Sequence, residues 1–474
     1  MIRITVSTID TVKKNLYNGC NICGICGENS PSEEHERMRS LRIAASLSLL
    51  FSLPITASAL DLSGQSRTYL QSGQSTDGTR YLPLYEYLNF KAGNAGSDAV
   101  TFHFGGWYRY DLQNEEFGTR STGDLQYAYV TLKKNTGNSA LSFGRLWVNE
   151  GVASAQIDGA YARTDLKGGF TIAAYGGNPV ETDGDTRSGD SVYGGRVSQG
   201  LPGIYTIGVS YLKEKNDGKD FRKEEGLDLW IRPLSKLELM GTSSYNAESK
   251  NWMQHQYHAA VGPFAWFRLN LDASKTWYKE YFSAVNNTQS MLMSAFSFTN
   301  IDPNEIVTMT GGSIAITIGG PITVIADYRN YDYQVLNDSA TYGGGSIVYT
   351  GAGFGAGAAL HRMNGPSDDL RYDEQRAYVF KKFAKADMTL DFVHVAYEQS
   401  INGISDAYTG TAAAGYTFSP KARIVADVEY VTNPDVIREV RGMLNFVYNF
   451  DAKLGGSAKT TPSAGAAKPR GKKP

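Results

Sequence analysis

The residue types that could do chemistry are thinly spread. Cys20, Cys23 and Cys26 form a C-x-x-C-x-x-C array and are the chain's 3 cysteines. Such spacing suits a metal or an iron–sulfur cluster, but a fourth thiolate is missing. The histidines beyond residue 60 are His103, His255, His258, His361 and His394. On a strand His255 and His258 face opposite sides, so they do not form a metal pair. The sequence contains no H-x-x-x-H, G-x-S-x-G or P-loop pattern. It has no C-x-x-C-H either, so no haem can be attached. Gly351–Gly357 (GAGFGAG) reads as a turn entering a small-residue strand rather than a phosphate loop. These patterns predict no catalysis, no metal site and no cofactor.

The remaining chemistry is charge, placed singly within apolar runs. Arg109, Arg145, Arg196, Arg232, Arg268 and Arg329 fall on the polar side of alternating segments, as do Asp228, Asp272, Asp327, Asp427 and Glu429. A soluble core would not bury such a face, whereas a water-filled lumen accepts it. These arginines, with Asp327, Asp427 and Glu429, are therefore the candidate pore-lining residues. Acids and bases nearly balance, so paired wall charges are expected rather than strong ion selectivity. Over the whole chain, Lys+Arg 46 against Asp+Glu 48 leaves a net charge of −2. No bulk attraction to nucleic acid follows.

Alternation of period two positions these charges, because successive side chains of a strand point to opposite faces. In 99–110, Val100, Phe102, Phe104, Tyr108 and Tyr110 oppose Thr101, His103, Trp107 and Arg109. In 423–430, Ile424, Ala426, Val428 and Tyr430 oppose Arg423, Asp427 and Glu429. Segments of about 10–13 residues repeat this pattern from Leu60 onward, separated by turn clusters. No run of 18 apolar residues follows residue 60. A helical membrane protein is therefore excluded, but a membrane barrel is not. The fold expected is all-β: a transmembrane antiparallel up-and-down β-barrel over 60–450, in contact with outer-membrane lipid.

Flanking segments complete the organisation. Residues 38–59 have a basic start, an apolar middle and Ala57-Ser58-Ala59, which reads as a secretory signal peptide. Residues 1–37 precede that signal and are expected to be a non-native extension, with translation beginning at Met38. Residues 451–474 carry Lys453, Lys459, Lys468, Arg470, Lys472 and Lys473 against Asp451. They read as a disordered basic tail in the periplasm.

Connections alternate in kind. Short turns fall at 134–138, 199–203, 232–235, 262–265, 318–321 and 384–386, and longer polar loops at 71–80, 111–120, 178–190, 212–221, 276–288, 333–341 and 399–406. Short turns belong to the periplasmic side and long loops to the outside. Counting forward from Leu60 and backward from Phe450 gives conflicting directions between residues 285 and 320. One strand there is missed, or one is counted that does not exist. The raw count is about 23, and since single-chain bacterial barrels are even-numbered, about 22 strands are expected, with 20 and 24 as neighbours.

Three resemblances refine this reading. Residues 436–450, VIREVRGMLNFVYNF, resemble the closing strand of bacterial outer-membrane barrels. That resemblance implies that Leu444, Phe446, Tyr448 and Phe450 signal to the barrel-assembly machinery. The segment 124–151, with Gly144-Arg145 and Asn149-Glu150-Gly151, resembles the porin strand–turn–strand that leads into an inward-folded third loop. It implies that 149–158 bends into the lumen, with Arg145 either setting the pore's field or bonding a wall carboxylate. The mature chain, with LDLSGQSRTYLQ (60–71), PLYEYLNF (83–90) and FHFGGWYRYDL (102–112), resembles outer-membrane channel proteins of metal-reducing bacteria. That implies a porin for small polar solutes or ions, or else a sheath around a multihaem cytochrome supplied by another chain. Strands that begin at Leu60 leave no room for a plug domain, so inward loops or a partner are expected to fill the lumen.

Overall fold

The computed structural model describes residues 60–74, 78–94, 99–114, 119–134, 137–180, 189–283, 302–436 and 438–454. The extension, the signal peptide and residues 455–474 of the basic tail lie outside the described residues. From Leu60 the chain is a single closed antiparallel barrel of 22 strands. They are β1 (Leu60–Gln74), β2 (Pro83–Asn94), β3 (Val100–Asp111), β4 (Ser121–Lys133), β5 (Ala140–Glu150), β6 (Ala153–Asp165), β7 (Phe170–Pro179) and β8 (Ser191–Leu201). Then follow β9 (Tyr205–Asn216), β10 (Lys219–Leu234), β11 (Leu237–Asn246), β12 (Asn251–Val261) and β13 (Phe267–Trp277), with a short helix α1 (Tyr278–Ser283) after it. The last are β14 (Ile306–Ile318), β15 (Ile322–Tyr333), β16 (Asp338–Gly351), β17 (Phe354–Asn364), β18 (Arg371–Lys382), β19 (Ala386–Ile401), β20 (Ile404–Ser419), β21 (Ala422–Thr432) and β22 (Glu439–Leu454). A two-residue ladder, Arg80–Tyr81, folds back on the end of β1.

Each strand pairs with its neighbours in sequence, and β1 pairs with β22 from Leu60↔Leu454 to Ser72↔Gly442. The sheet therefore has no free edge. Following the register once round the 22 strands displaces a residue by about 24 positions, which implies a tilt near 40° and a backbone diameter of about 40 Å.

The directional conflict in the sequence resolves here. β13 pairs directly with β14, Arg268 opposite Ala315, so no strand intervenes between them in the ring. The stretch in conflict therefore falls largely on the connection 278–305, of which residues 284–301 lie outside the described residues. A second boundary also moves: the closing ladder runs past Phe450 to Leu454, because the alternation continues through Asp451–Leu454.

The apolar face of the alternation is the outer face. Val209 (57% exposed), Leu360 (65%), Val428 (53%) and Val440 (61%) stand out of the wall. Exposure of this kind around a whole sheet is the property of a surface that meets hydrocarbon. Tyr108, Tyr408 and Tyr430 on the same face lie near the long-loop ends of their strands, where aromatic girdles sit. By the same rule the short-turn end, which also holds the start of β1 and the end of β22, is periplasmic.

Candidate functional site

The inner wall carries a buried aliphatic cluster at the place where the wall departs from regularity. The β4–β5 ladder stops at Ala128↔Arg145, whereas β5 and β6 stay paired up to Glu150↔Ala153. Above Arg145 the β5–β6 hairpin therefore leaves β4 and turns into the barrel. Gly144 sits at the departure point with φ +124. A Cβ there would lie 2.3 Å from the Ala128 carbonyl oxygen, so only glycine permits both the conformation and the close approach.

The hairpin lies on the inner wall of β7, β8 and β9. Leu146, Val148, Ala153 and Ile157 bury their side chains against Tyr175, Val192 and Leu212. Fully burying one such aliphatic side chain contributes about 1.5–3 kcal/mol, so the underside alone holds the hairpin down. Polar contacts fix its tip. The Val152 amide donates to Ser210 Oγ at 3.0 Å, and Arg222 donates to the Val152 carbonyl at 3.4 Å. Gly151 rests over Ser210, where a Cβ would come within 2.1 Å of Oγ.

Charges surround the foot of the hairpin in compensated sets. Glu150, buried at 6% exposure, accepts a hydrogen bond from the Tyr161 hydroxyl at 2.5 Å and faces Arg196 and Arg163 at 3.8 and 3.9 Å. Arg196 holds Asp228 through two bonds of 2.9 and 2.5 Å. Arg145 grips Asp158 through two bonds of 2.8 Å and donates to the Leu125 carbonyl at 3.3 Å. Gln156 donates to the Gln126 carbonyl. The seam between β4 and the hairpin is thus closed by side chains where the ladder has ended.

The sequence-selected residues have separate placements. Arg145 lies in the seam and Arg196 at the foot of the hairpin. Arg109 is buried at 5% exposure, and its guanidinium donates to the Thr119 carbonyl at 3.0 Å and faces Asp111 at 3.4 Å. Its contacts with Thr119, just before β4, and with Asp111, at the end of β3, tie it to the foot of a long loop. Arg232 is in the β10–β11 turn region, bonded to the Ser235 carbonyl at 2.9 Å, and Arg268 near the periplasmic end of β13 bonds Asn270 at 3.1 Å. Asp327 accepts from His361 Nε2 at 2.9 Å, and Arg329 lies across Gly311. Asp427 and Glu429 share the inner face of β21 with Arg423, and Glu429 stands opposite Arg441. Leu444, Phe446 and Tyr448 face outward at 41%, 37% and 42% exposure, and Phe450 lies beside Gly64 at the closing seam.

Sequence reasoning missed Glu150, the pair His258–Asp272 at 2.8 Å, and an inner-wall aromatic group. Tyr69, Tyr85, Tyr87 and Trp107 approach one another with ring centroids 5.5 to 6.4 Å apart. Their signal was in the sequence: each lies on the polar side of its alternation.

Arg145→Ala leaves Asp158 without its two-bond partner in a partly exposed seam. It is expected to cost about 1.5–3 kcal/mol, read as an earlier urea midpoint of tryptophan fluorescence. Arg145→Lys should recover less than half of that, because one ammonium cannot reproduce the planar fork. Equal stability of all three proteins would show that the seam is held elsewhere.

No family model and no curated protein matches the chain. Among solved structures, a mutant of the ferric enterobactin receptor PfeA from Pseudomonas aeruginosa superposes with TM-score 0.53 at 8% identity, over 83% of this chain and 81% of that one. OccK8 (OprE) of the same organism gives 0.41 at 11% identity, covering 83% and 98%, and a BenF-like porin from Pseudomonas fluorescens Pf-5 gives 0.42 at 9%, covering 83% and 99%. The likeness is one of fold, that of a large outer-membrane barrel. With its apolar belt and alternating turns, the protein is a β-barrel of the Gram-negative outer membrane.

Proposed function

We propose that the protein is a passive channel that carries small polar solutes and ions across the outer membrane, narrowed by residues 146–157. The observation that carries this reading is the hairpin: a segment of the wall turned inward and packed down on the inner face of β7–β9. A barrel about 40 Å across with nothing inside would let large molecules pass. A fixed inward hairpin surrounded by paired charges lowers the size limit and leaves a wet, polar passage. The reading involves no chemistry on the solute.

A sheath around a multihaem cytochrome gains nothing from the fold likenesses, and the hairpin takes up lumen that such a partner would need. Reconstitution of the purified chain into planar bilayers tests the proposal. Discrete, stable conductance steps from the barrel alone are expected, together with passage of small sugars in a liposome-swelling assay. Silent bilayers and unswollen liposomes containing correctly folded barrel would overturn it.

A further inference from the structure

The near-neutral chain hides a separation of charge along the barrel axis. At the periplasmic end, Lys133 closes β4 with Lys134 just after it, Lys382 closes β18, and Lys167, Lys236 and Lys385 sit on turns. All six are exposed, and none forms an ion pair with a described residue. Few acids stand near them, and Asp165, Asp387 and Asp451 are each within reach of Arg163, Arg423 or Lys421. At the external end the balance reverses. Asp217, Glu248, Asp302, Asp338, Asp368 and Asp435 are exposed on loops or strand ends, and acids outnumber bases among the described residues of that rim.

Between the rims the charges cancel locally. Arg145 is paired with Asp158, Arg196 with Asp228, Arg376 with Asp391 and Arg441 with Glu439. The waist therefore contributes little net field. The two mouths contribute fields of opposite sign, and low-dielectric walls focus such fields along the bore.

From this arrangement, and resting on the channel reading above, we infer that the barrel is a bipolar conduit that rectifies ion flow. The acidic external mouth concentrates cations and the basic periplasmic mouth concentrates anions. When the external side is positive, cations enter through the acidic mouth and anions through the basic one. Both carriers accumulate and the conductance is high. With the polarity reversed, each ion must enter through the mouth that repels it. The bore is then depleted and the conductance falls. The effect depends on screening. The Debye length is about 30 Å at 0.01 M salt, comparable to the bore, and about 3 Å at 1 M.

Current–voltage curves of single oriented barrels in a neutral-lipid bilayer test this. Gln334→Cys, on an external loop in a barrel otherwise free of cysteine, reports orientation when a membrane-impermeant thiol reagent is added to one side. The expected result is a conductance about twofold higher with the external side positive at 0.01 M salt, becoming symmetric at 1 M. Replacing Lys133, Lys134, Lys167, Lys236, Lys382 and Lys385 by Gln should reduce the ratio toward one without abolishing conductance. Replacing the same six by Glu should leave a uniformly cation-selective, weakly rectifying pore. Symmetric curves at low salt from conducting wild-type barrels would overturn the inference while leaving the channel reading intact. Absence of any conductance would instead strike at the channel reading. Asymmetry that persists at 1 M, or survives the Gln variant, would assign it to the shape of the bore and also overturn the inference.

Discussion

Deleting residues 147–156 and joining Leu146 to Ile157 through Asn-Gly is expected to roughly double single-channel conductance and raise the size limit for solutes. Leu146 and Ile157 are already opposite each other in the β5–β6 ladder, so a two-residue type I′ turn closes the shortened hairpin without changing its register. What disappears is the segment anchored by Val152 on Ser210, together with Val148 and Ala153 of the buried underside. The wall itself keeps its 22 strands, because the pairing of β4 with β5 lies wholly below the excised residues. Conductance in 1 M salt isolates the geometric effect from the field, since charges are then screened within about 3 Å. An unchanged conductance from a folded variant would place the narrowest ring elsewhere in the barrel.

The second large effect belongs to the closing seam. Gly64 on β1 lies between β2 and β22. A Cβ at that position would come within 2.3 Å of the Asn89 carbonyl oxygen and 2.6 Å of both the Phe450 ring and the Phe90 Cβ. The Phe450 ring and the Phe90 Cβ thus crowd the glycine, and the Asn89 oxygen is backbone that cannot swing away. Gly64→Val is expected to cost about 3 kcal/mol or more and to prevent closure. The measurement is heat-modifiability on a denaturing gel, in which a closed barrel runs faster unheated than boiled. Loss of the fast band is expected for Gly64→Val, whereas Phe450→Leu, which relieves rather than adds crowding, should keep it. A normal fast band from the valine variant would show that the seam tolerates a side chain.

What the residues disclosed on their own follows from locality. Alternation is a property of adjacent residues, so the outward rows that include Tyr108, Val428 and Tyr448 were legible, and with them the fold. Strand number is a property of the ring. The direction of travel between residues 285 and 320 stayed in conflict because alternation cannot report which strand finds which neighbour, and the pairing of β13 with β14 is what settles it. The inward turn at Gly144-Arg145 was legible as a resemblance, but its attachment was not. Leu146, Val148 and Ile157 become a buried surface only because the hairpin meets Tyr175, Val192 and Leu212 on other strands. Arg109 shows the same limit: its face was legible from alternation, but its burial and its bond to the Thr119 carbonyl depend on residues beyond its own strand.

The pairing of the first strand with the last also constrains how the molecule comes into being. Gln65 donates to Asn449 at 2.7 Å across 384 residues of chain. Every other ladder joins sequence neighbours and can form as soon as both strands are present. Only this one must wait for the whole polypeptide. Bringing such distant partners together carries the largest loop-closure entropy in the molecule, and topologies dominated by distant pairing fold slowly. Until it happens, β1 and the most recently added strand are open edges that recruit other chains. A ribosome stalled before residue 439 would therefore yield not a smaller pore but an adhesive sheet, and the cell's proteases rather than its permeability would register the difference.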